Sequence, residues 1–237
     1  MNEADAQRTL GELVTERPYL STHFDRLGLD YCCGGALSLR SACMKAGLDL
    51  NELDLSDPGK PTAESGPDWT TFDLDELTVH IEATHHEYLR RQLPRLAALG
   101  EKVVGAHGDR HPELIKVCDA LAELRIDLDP HLQREEQIVF PMIRALMIPG
   151  TVHAESVRNP VAVLCAEHDQ VGELLRGLRV RTDDYVTPPD GCASYRSFYD
   201  GLAELEADLH LHVHKENNVL FPRAVEAEAR YAAAVDA

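Results

Sequence analysis

Long apolar runs, aromatic residues and basic charge are all scarce in this 237-residue sequence. No segment approaches the roughly 20 consecutive apolar residues that a membrane-spanning helix needs. Aromatic residues make up 5% of the chain, and the abundance of Ala, Leu and Glu favours helices over strands. Lys and Arg number 23 against 41 Asp and Glu, which gives a formal net charge of −18. This charge disfavours binding to nucleic acids and to anionic membrane surfaces.

The N-terminus, MNEADAQRTLGEL, also lacks the basic stretch and apolar run of a secretory signal peptide. We therefore expect a cytoplasmic protein. The chain has six cysteines, and in the cytoplasm these are expected to be largely reduced rather than to form a disulfide framework.

Proline and glycine divide the chain into a small N-terminal part and a longer helical part. Short amphipathic segments predict a small helical domain over residues 1–56, and the run DLSDPGKPTAESGPDW predicts a linker at 57–72. The remaining part, 73–230, contains four longer segments with apolar residues at helical spacing, at 73–101, 112–147, 159–181 and 195–229. Four such helices joined by loops predict an antiparallel four-helix bundle, so the predicted fold class is all-α.

Two stretches of eleven residues repeat one pattern, HLQREEQIVFP at 131–141 and HVHKENNVLFP at 212–222. Aligned without gaps, they pair His131 with His212 and Glu135 with Glu216. Residues four apart on a helix share one face, so each His and Glu can bind the same metal centre inside a bundle. The Phe-Pro that closes each stretch predicts an apolar plug beside the site and an interruption of the helix.

The preceding helices repeat more loosely. HHEYLRRQLPRL and EHDQVGELLRGL pair His86 with His168. The chain therefore resembles a duplicated helical hairpin. Each hairpin has one His on its first helix and His-x-x-x-Glu on its second helix. One such motif alone is a weak signal, but two symmetrically placed copies, each preceded by a matching His, predict a metal site. Its six predicted ligands are His86, His131, Glu135, His168, His212 and Glu216.

Four imidazoles and two carboxylates form a mixed nitrogen and oxygen ligand set. Structural zinc prefers thiolates, and calcium and magnesium prefer oxygen alone, so this set favours iron or manganese. Two octahedral metals sharing both carboxylates and an oxo or hydroxo bridge keep about one open position each. A ferritin-like site needs two Glu-x-x-His pairs, and only Glu82 with His85 matches. His85 is also the one rival to its neighbour His86 as a ligand.

Two adjacent cysteines, Cys32 and Cys33, lie in the sequence DYCCGG. Adjacent Cα atoms are about 3.8 Å apart, below the usual disulfide range of about 4.4–6.8 Å, so we expect two thiols or at most a strained disulfide. One interpretation makes them the catalytic pair, soft ligands for iron transfer or redox exchange. The alternative is a buried turn of small residues.

Five motifs in order carry a family resemblance: DYCCGG, HHEYLRRQLP, HLQREEQIVFP, AEHDQVGELL and HVHKENNVLFP. Residues 73–225 resemble the hemerythrin-like four-helix bundle, and the whole chain resembles the iron–sulfur cluster repair di-iron proteins. The resemblance implies two non-haem iron ions, bound by the same six ligands. It also implies a role in restoring iron–sulfur proteins damaged by nitric oxide or oxidants.

Three functions stay open at this point. The first is cluster repair by iron donation, which requires the two cysteines. The second is enzymatic reduction of nitric oxide at the di-iron site, and the third is a sensor or store for oxygen, nitric oxide or iron. The DYCCGG motif favours the first, and four rather than five histidine ligands disfavour a simple oxygen carrier. The sequence leaves the oligomeric state open, with a homodimer as one alternative.

Overall fold

The computed structural model describes residues 3–53, 55–56, 68–148 and 156–235. Within these ranges helices are the regular structure, and the strand-like pairing consists of an isolated bridge between Thr9 and Ser38. The predicted all-α class is confirmed. Most of the predicted linker, residues 57–67, lies outside the described residues. No described helix is both long enough and apolar enough to span a membrane.

Four short helices occupy the N-terminal region: α1 (Glu3–Gln7), α2 (Leu10–Glu16), α3 (Leu20–Leu27) and α4 (Leu39–Ala46). Thr9 caps α2 by accepting a hydrogen bond from the backbone of Glu12, whose side chain in turn accepts from the backbone of Thr9. Gly28 and Gly47 end α3 and α4 in the left-handed conformation that glycine adopts without strain. Apolar side chains from these helices, such as Leu13 and Phe24, pack into one buried cluster.

Four long helices follow, and three of them contain a five-residue π-helical segment between two α-helical ones. The first comprises Leu74–Ile81, the π segment Glu82–His86 and Glu87–His107. The second comprises Glu113–Arg134, the π segment Glu135–Val139 and Phe140–Ala145. The third is Arg158–Arg181. The fourth comprises Ala193–Lys215, the π segment Glu216–Leu220 and Phe221–Val235.

The two Phe-Pro sequences do not interrupt their helices, contrary to the prediction. Proline lacks an N–H and clashes with the carbonyl four residues earlier in an α-helix. Here a π turn precedes each proline: the backbone N–H of Phe140 donates to the carbonyl of Glu135, and that of Phe221 donates to Glu216. This wider turn gives the proline room, so the helix continues through it.

Backbone contacts divide the chain into two compact units. One contains residues 1–80, 143–158 and 210–237, and the other contains 81–142 and 159–209. In the second unit, side chains from all four long helices pack into a single buried cluster that includes Leu93, Leu121, Leu175 and Leu205. This shared core is that of a four-helix bundle.

Candidate metal centre

Three predicted ligands converge in the second unit, on the second and third long helices. Nε2 of His131 lies 3.2 Å from Oε1 of Glu135 and 3.0 Å from Nε2 of His168. Nε2 of His168 lies 3.9 Å from the same oxygen of Glu135. All three side chains are buried, and each offers a donor atom within 4.8 Å of the others. Two imidazole nitrogens and a carboxylate oxygen thus face one point.

The other oxygen of Glu135 faces a third imidazole. Nε2 of His86 lies 3.4 Å from Oε2 of Glu135, and both side chains are fully buried. Glu135 therefore has histidines at both of its oxygens, as a carboxylate that bridges two metal ions must. The ring of Phe140 stacks on the ring of His86, with centroids 5.7 Å apart. The predicted apolar plug is thus present beside the ligands.

Two further carboxylates determine which nitrogens of the histidines face Glu135. Nδ1 of His86 lies 2.7 Å from Oε1 of Glu136, and Nδ1 of His131 lies 2.8 Å from Oε2 of Glu167. An ionised carboxylate only accepts hydrogen bonds, so each Nδ1 carries the proton that it donates. In a neutral ring the Nε2 lone pair is then available to a metal, which is the usual arrangement around metal-bound histidines.

Arginines hold these two carboxylates in place. Nη2 of Arg90 donates to both oxygens of Glu136 at 2.7 Å, and Arg134 donates to Glu167. Burial raises the pKa of Glu136, but hydrogen bonds from Arg90 and His86 outweigh it, so this pKa lies below its ordinary value. Burial also raises the pKa of Glu167, but hydrogen bonds from His131 and Arg134 outweigh this effect. The pKa of Glu167 therefore also lies below its ordinary value. Both groups stay ionised at neutral pH.

The remaining two predicted ligands lie on the fourth long helix, in the first unit. Nε2 of His212 lies 3.1 Å from Oε1 of Glu216, and both side chains are fully buried. This pair has the same spacing and nearly the same separation as His131 and Glu135. Both glutamates are also the first residue of a π segment. The sequence repeat is therefore also a structural repeat, and π segments of this kind are frequent at functional sites.

The neighbouring histidines have other partners. Nδ1 of His85, the rival of His86, lies 2.9 Å from Oδ1 of Asp208. His210 contacts Asp25 at 2.8 Å. His214 is buried, and its Nδ1 donates to the backbone carbonyl of Tyr31 at 3.4 Å. Burial lowers the pKa of His214 to about 4. His210 and His214 thus contact the N-terminal segment.

The cysteine pair lies in a loop that Asp30 organises. Oδ1 of Asp30 accepts hydrogen bonds from the backbone N–H groups of Cys33 at 2.9 Å and Gly34 at 3.0 Å. Sγ of Cys32 lies 3.3 Å from the same oxygen and 3.9 Å from Sγ of Cys33. Both cysteines are thiols rather than a disulfide pair, as predicted. The adjacent Cys33 and burial raise the pKa of Cys32.

Sequence reasoning missed three residues at these sites. Glu136 and Glu167 each adjoin a predicted ligand in the chain, in REEQ and AEHD, and this adjacency is the signal that could have drawn attention to them. Asp30 opens the DYCCGG motif. Its role was not visible because it arises from the fold of the loop rather than from any helical spacing.

Comparison with known proteins covers nearly the whole chain. Residues 77–224 match the Hemerythrin HHE cation binding domain, and residues 6–54 match ScdA_N, a domain of unknown function. The chain is 39% identical to the Iron-sulfur cluster repair protein YtfE of Dickeya chrysanthemi (strain Ech1591), covering 93% of this chain and 98% of the relative. It is 37% identical to the Probable iron-sulfur cluster repair protein of Haemophilus influenzae, over 93% of this chain and 97% of the relative.

The YtfE protein of Escherichia coli (strain SMS-3-5 / SECEC) is 36% identical, over 92% of this chain and 97% of the relative. The matched cation-binding domain and the buried histidine and glutamate groups together indicate di-iron binding. The chain belongs to the iron–sulfur cluster repair family of hemerythrin HHE domain proteins.

Proposed function

We propose that this protein repairs iron–sulfur clusters damaged by nitric oxide or oxidants, and that it does so by donating iron. The relatives at 36–39% identity carry the repair function in their names. The observation that carries the proposal is the position of Glu135. Its two oxygens face His86 on one side and His131 with His168 on the other, which suits a pair of iron ions better than a single ion.

All six predicted ligands share this centre in our proposal. His86, His131, Glu135 and His168 come from the second unit, and the repeat-related pair of His212 and Glu216 completes the set. Glu135 and Glu216 would supply carboxylate oxygens to both ions, and an oxo or hydroxo group would complete the centre. When bound, the iron pair supplies both the iron to be delivered and open positions for a small gas such as nitric oxide or oxygen.

The surrounding carboxylates hold the ligand rings in the metal-binding orientation. Glu136 accepts the Nδ1 proton of His86, and Glu167 accepts that of His131. Arg90 and Arg134 form ion pairs with these carboxylates and fix their positions. The two histidines that donate to the carboxylates therefore keep their orientation when iron leaves. A site that keeps its shape without metal can be refilled, which a protein that donates iron requires.

The two cysteine thiols provide the soft ligands through which iron leaves the protein. Cys33 is partly exposed, whereas Cys32 is buried. The partners are damaged iron–sulfur proteins, which themselves bind iron through thiolates. Clients of this kind are the reason that we propose a cytoplasmic location.

Reduction of nitric oxide at the di-iron centre is the second candidate. It is favoured by the ligand set, because four histidines and two carboxylates leave about one open position on each metal. This function has no use for the cysteines, so variants of Cys32 and Cys33 separate the two candidates.

Metal analysis of the full-length protein, made with ample iron, tests the centre itself. We expect about two irons per chain and near-ultraviolet absorption from an oxo-bridged ferric pair. One equivalent of zinc and no iron would contradict the proposal.

A further inference from the structure

A second group of metal-ligating side chains lies in the loop of the DYCCGG motif. Asp30, Cys32 and Cys33 each offer one donor atom, and these atoms lie within 4.8 Å of one another. The two sulfurs are 3.9 Å apart, and Sγ of Cys32 is 3.3 Å from Oδ1 of Asp30. The loop thus presents two sulfurs and one carboxylate on one side.

These separations fit a tetrahedral metal ion. Metal–sulfur bonds of about 2.3 Å and metal–oxygen bonds of about 2.1 Å place two sulfurs about 3.8 Å apart and a sulfur and an oxygen about 3.6 Å apart. The observed separations differ from these values by a few tenths of an ångström. Three protein ligands leave a fourth position open, which is the arrangement of an exchangeable rather than a structural site.

The backbone of the loop is held independently of any metal. Oδ1 of Asp30 accepts from two backbone N–H groups inside the loop. The side-chain amide of Asn218 donates to the carbonyl oxygens of Tyr31 at 3.3 Å and Cys32 at 2.9 Å. A loop that is fixed from both sides keeps its three donors together, so little ordering is needed when a cation binds.

Asn218 also places the loop beside the fourth long helix. It lies in the π segment Glu216–Leu220, which begins with a proposed ligand of the di-iron centre. Gly11 and Gly35 leave room for this side chain, because a Cβ on Gly11 would come 2.6 Å from Oδ1 of Asn218. Residues two positions apart on a helix differ by about 3 Å along its axis. The cysteine loop is therefore anchored within one turn of Glu216.

We propose that Asp30, Cys32 and Cys33 form a second, exchangeable binding site for a thiophilic divalent cation, ferrous iron as cargo in the cell. Both thiols lose their protons to solvent when the cation binds, and no oxidant or reductant is involved. Asp30 supplies a third anionic ligand and orients the loop. The direction of transfer, from the di-iron centre to this loop, rests on the proposed function, but binding at the loop can be tested by itself.

Cobalt(II) is a suitable probe, because its charge-transfer absorption from thiolate reports sulfur ligation alone. Iron-loaded full-length protein is titrated with cobalt(II) without oxygen. We expect the band to saturate at about one equivalent per chain and to vanish in Cys32→Ser. Asp30→Asn keeps an oxygen acceptor for the loop amides and loses the charge, so we expect the band to remain but the affinity for cobalt(II) to fall by about 10-fold or more. Cys192→Ser, which removes an exposed thiol elsewhere, should match the parent protein.

Absence of the band in the parent protein, or a band that survives in Cys32→Ser, overturns the inference. Equal affinity in Asp30→Asn and the parent removes Asp30 from the site. Helical circular dichroism of each variant excludes unfolding as the cause of a loss, and if Asp30→Asn is unfolded, Cys32→Ser decides. Iron content separates this inference from the proposed function. If the parent protein contains two irons but gives no cobalt band, only the loop site is refuted. If the parent protein lacks iron, the di-iron centre is refuted.

Discussion

The side-chain amide of Asn218 donates a 2.9 Å hydrogen bond to the backbone carbonyl of Cys32. This bond joins the cysteine loop of the N-terminal segment to the π-helical turn that begins at Glu216. Two sequence motifs that are far apart in the chain therefore lie side by side. One contains the proposed iron ligand Glu216, and the other contains the cysteines proposed to accept iron.

Gly35→Ala tests this junction. A Cβ at Gly35 would lie 2.6 Å from the carbonyl oxygen of Tyr31 and would also press on the amide of Asn218. We expect a loss of about 1–3 kcal/mol in the free energy of unfolding, measured by chemical denaturation. Gly105→Ala is the matched control, since nothing lies within 4 Å of its Cβ position. It should stabilise the helix by about 0.8–1 kcal/mol. Equal stability in the Gly35 variant and the parent would show that the loop moves away freely.

His131→Ala should lose iron, because its Nε2 is one of the two imidazole nitrogens near Oε1 of Glu135. His210→Ala should retain full iron, since that ring contacts Asp25. His212→Ala should resemble His131→Ala because the two residues are related by the repeat. Iron is measured by elemental analysis of the purified variants. Similar iron loss from His210 and His212 would mean that the wrong face of the fourth long helix was assigned.

Glu167→Ala should weaken iron binding without removing a ligand. It deprives His131 of the carboxylate that fixes its Nδ1 proton, and such losses typically cost about 10–100-fold in metal affinity. Competition with a chelator measures the change. Glu173→Ala, on the same helix but ion-paired with Arg176 at the surface, is the control and should bind iron like the parent. Indistinguishable affinities for the two variants would contradict the orienting role of Glu167.

Cys192 should react with alkylating agents at lower pH than Cys118 does. Hydrogen bonds from the backbone of Tyr195 and from His107 lower its pKa to about 7. Arg110 donates to Nδ1 of His107, so the ring proton lies on Nε2 and points at the sulfur 3.2 Å away. The thiolate is the nucleophile, so the alkylation rate should rise with pH and reach half its maximum near pH 7.

Burial raises the pKa of Cys118 above its ordinary value, so this thiol serves as the internal comparison. Mass spectrometry of the labelled peptides gives both rates. His107→Leu should move the Cys192 profile toward higher pH. A profile that stays unchanged in His107→Leu would show that the helix backbone alone lowers the pKa.

The helices and the pairing of each proposed His ligand with its Glu could be predicted because both depend on short spacings. Apolar periodicity located the four long helices, and a separation of four residues put each His and Glu on one helix face. The structure shows nearly equal distances for the two repeats, 3.2 Å for His131 with Glu135 and 3.1 Å for His212 with Glu216. Local geometry decided these contacts, so the linear pattern was sufficient.

Contacts that depend on how separate helices pack could not be predicted. Glu136 forms a hydrogen bond with His86, which lies on another helix and 50 residues away in the chain. Asn218 forms a hydrogen bond with the cysteine loop, 186 residues away. No spacing rule links such positions. The π segments were missed for a different reason. Proline was expected to end each helix, but a shift of one residue in the hydrogen-bond register accommodates it. The first long helix also continues to His107 rather than ending at 101, so that Gly105 lies inside it.

Recovery of a nitric oxide-inactivated iron–sulfur dehydratase tests the central claim most directly. The enzyme is mixed with the parent protein, with His131→Ala, or with Cys32→Ser combined with Cys33→Ser, and its activity is followed beside the iron content of each variant. We predict recovery with the parent protein, none with the iron-deficient His131 variant, and little with the double cysteine variant although it retains its iron. Full recovery with the double cysteine variant would contradict iron transfer through the thiols, and full recovery with the iron-deficient variant would contradict iron donation altogether.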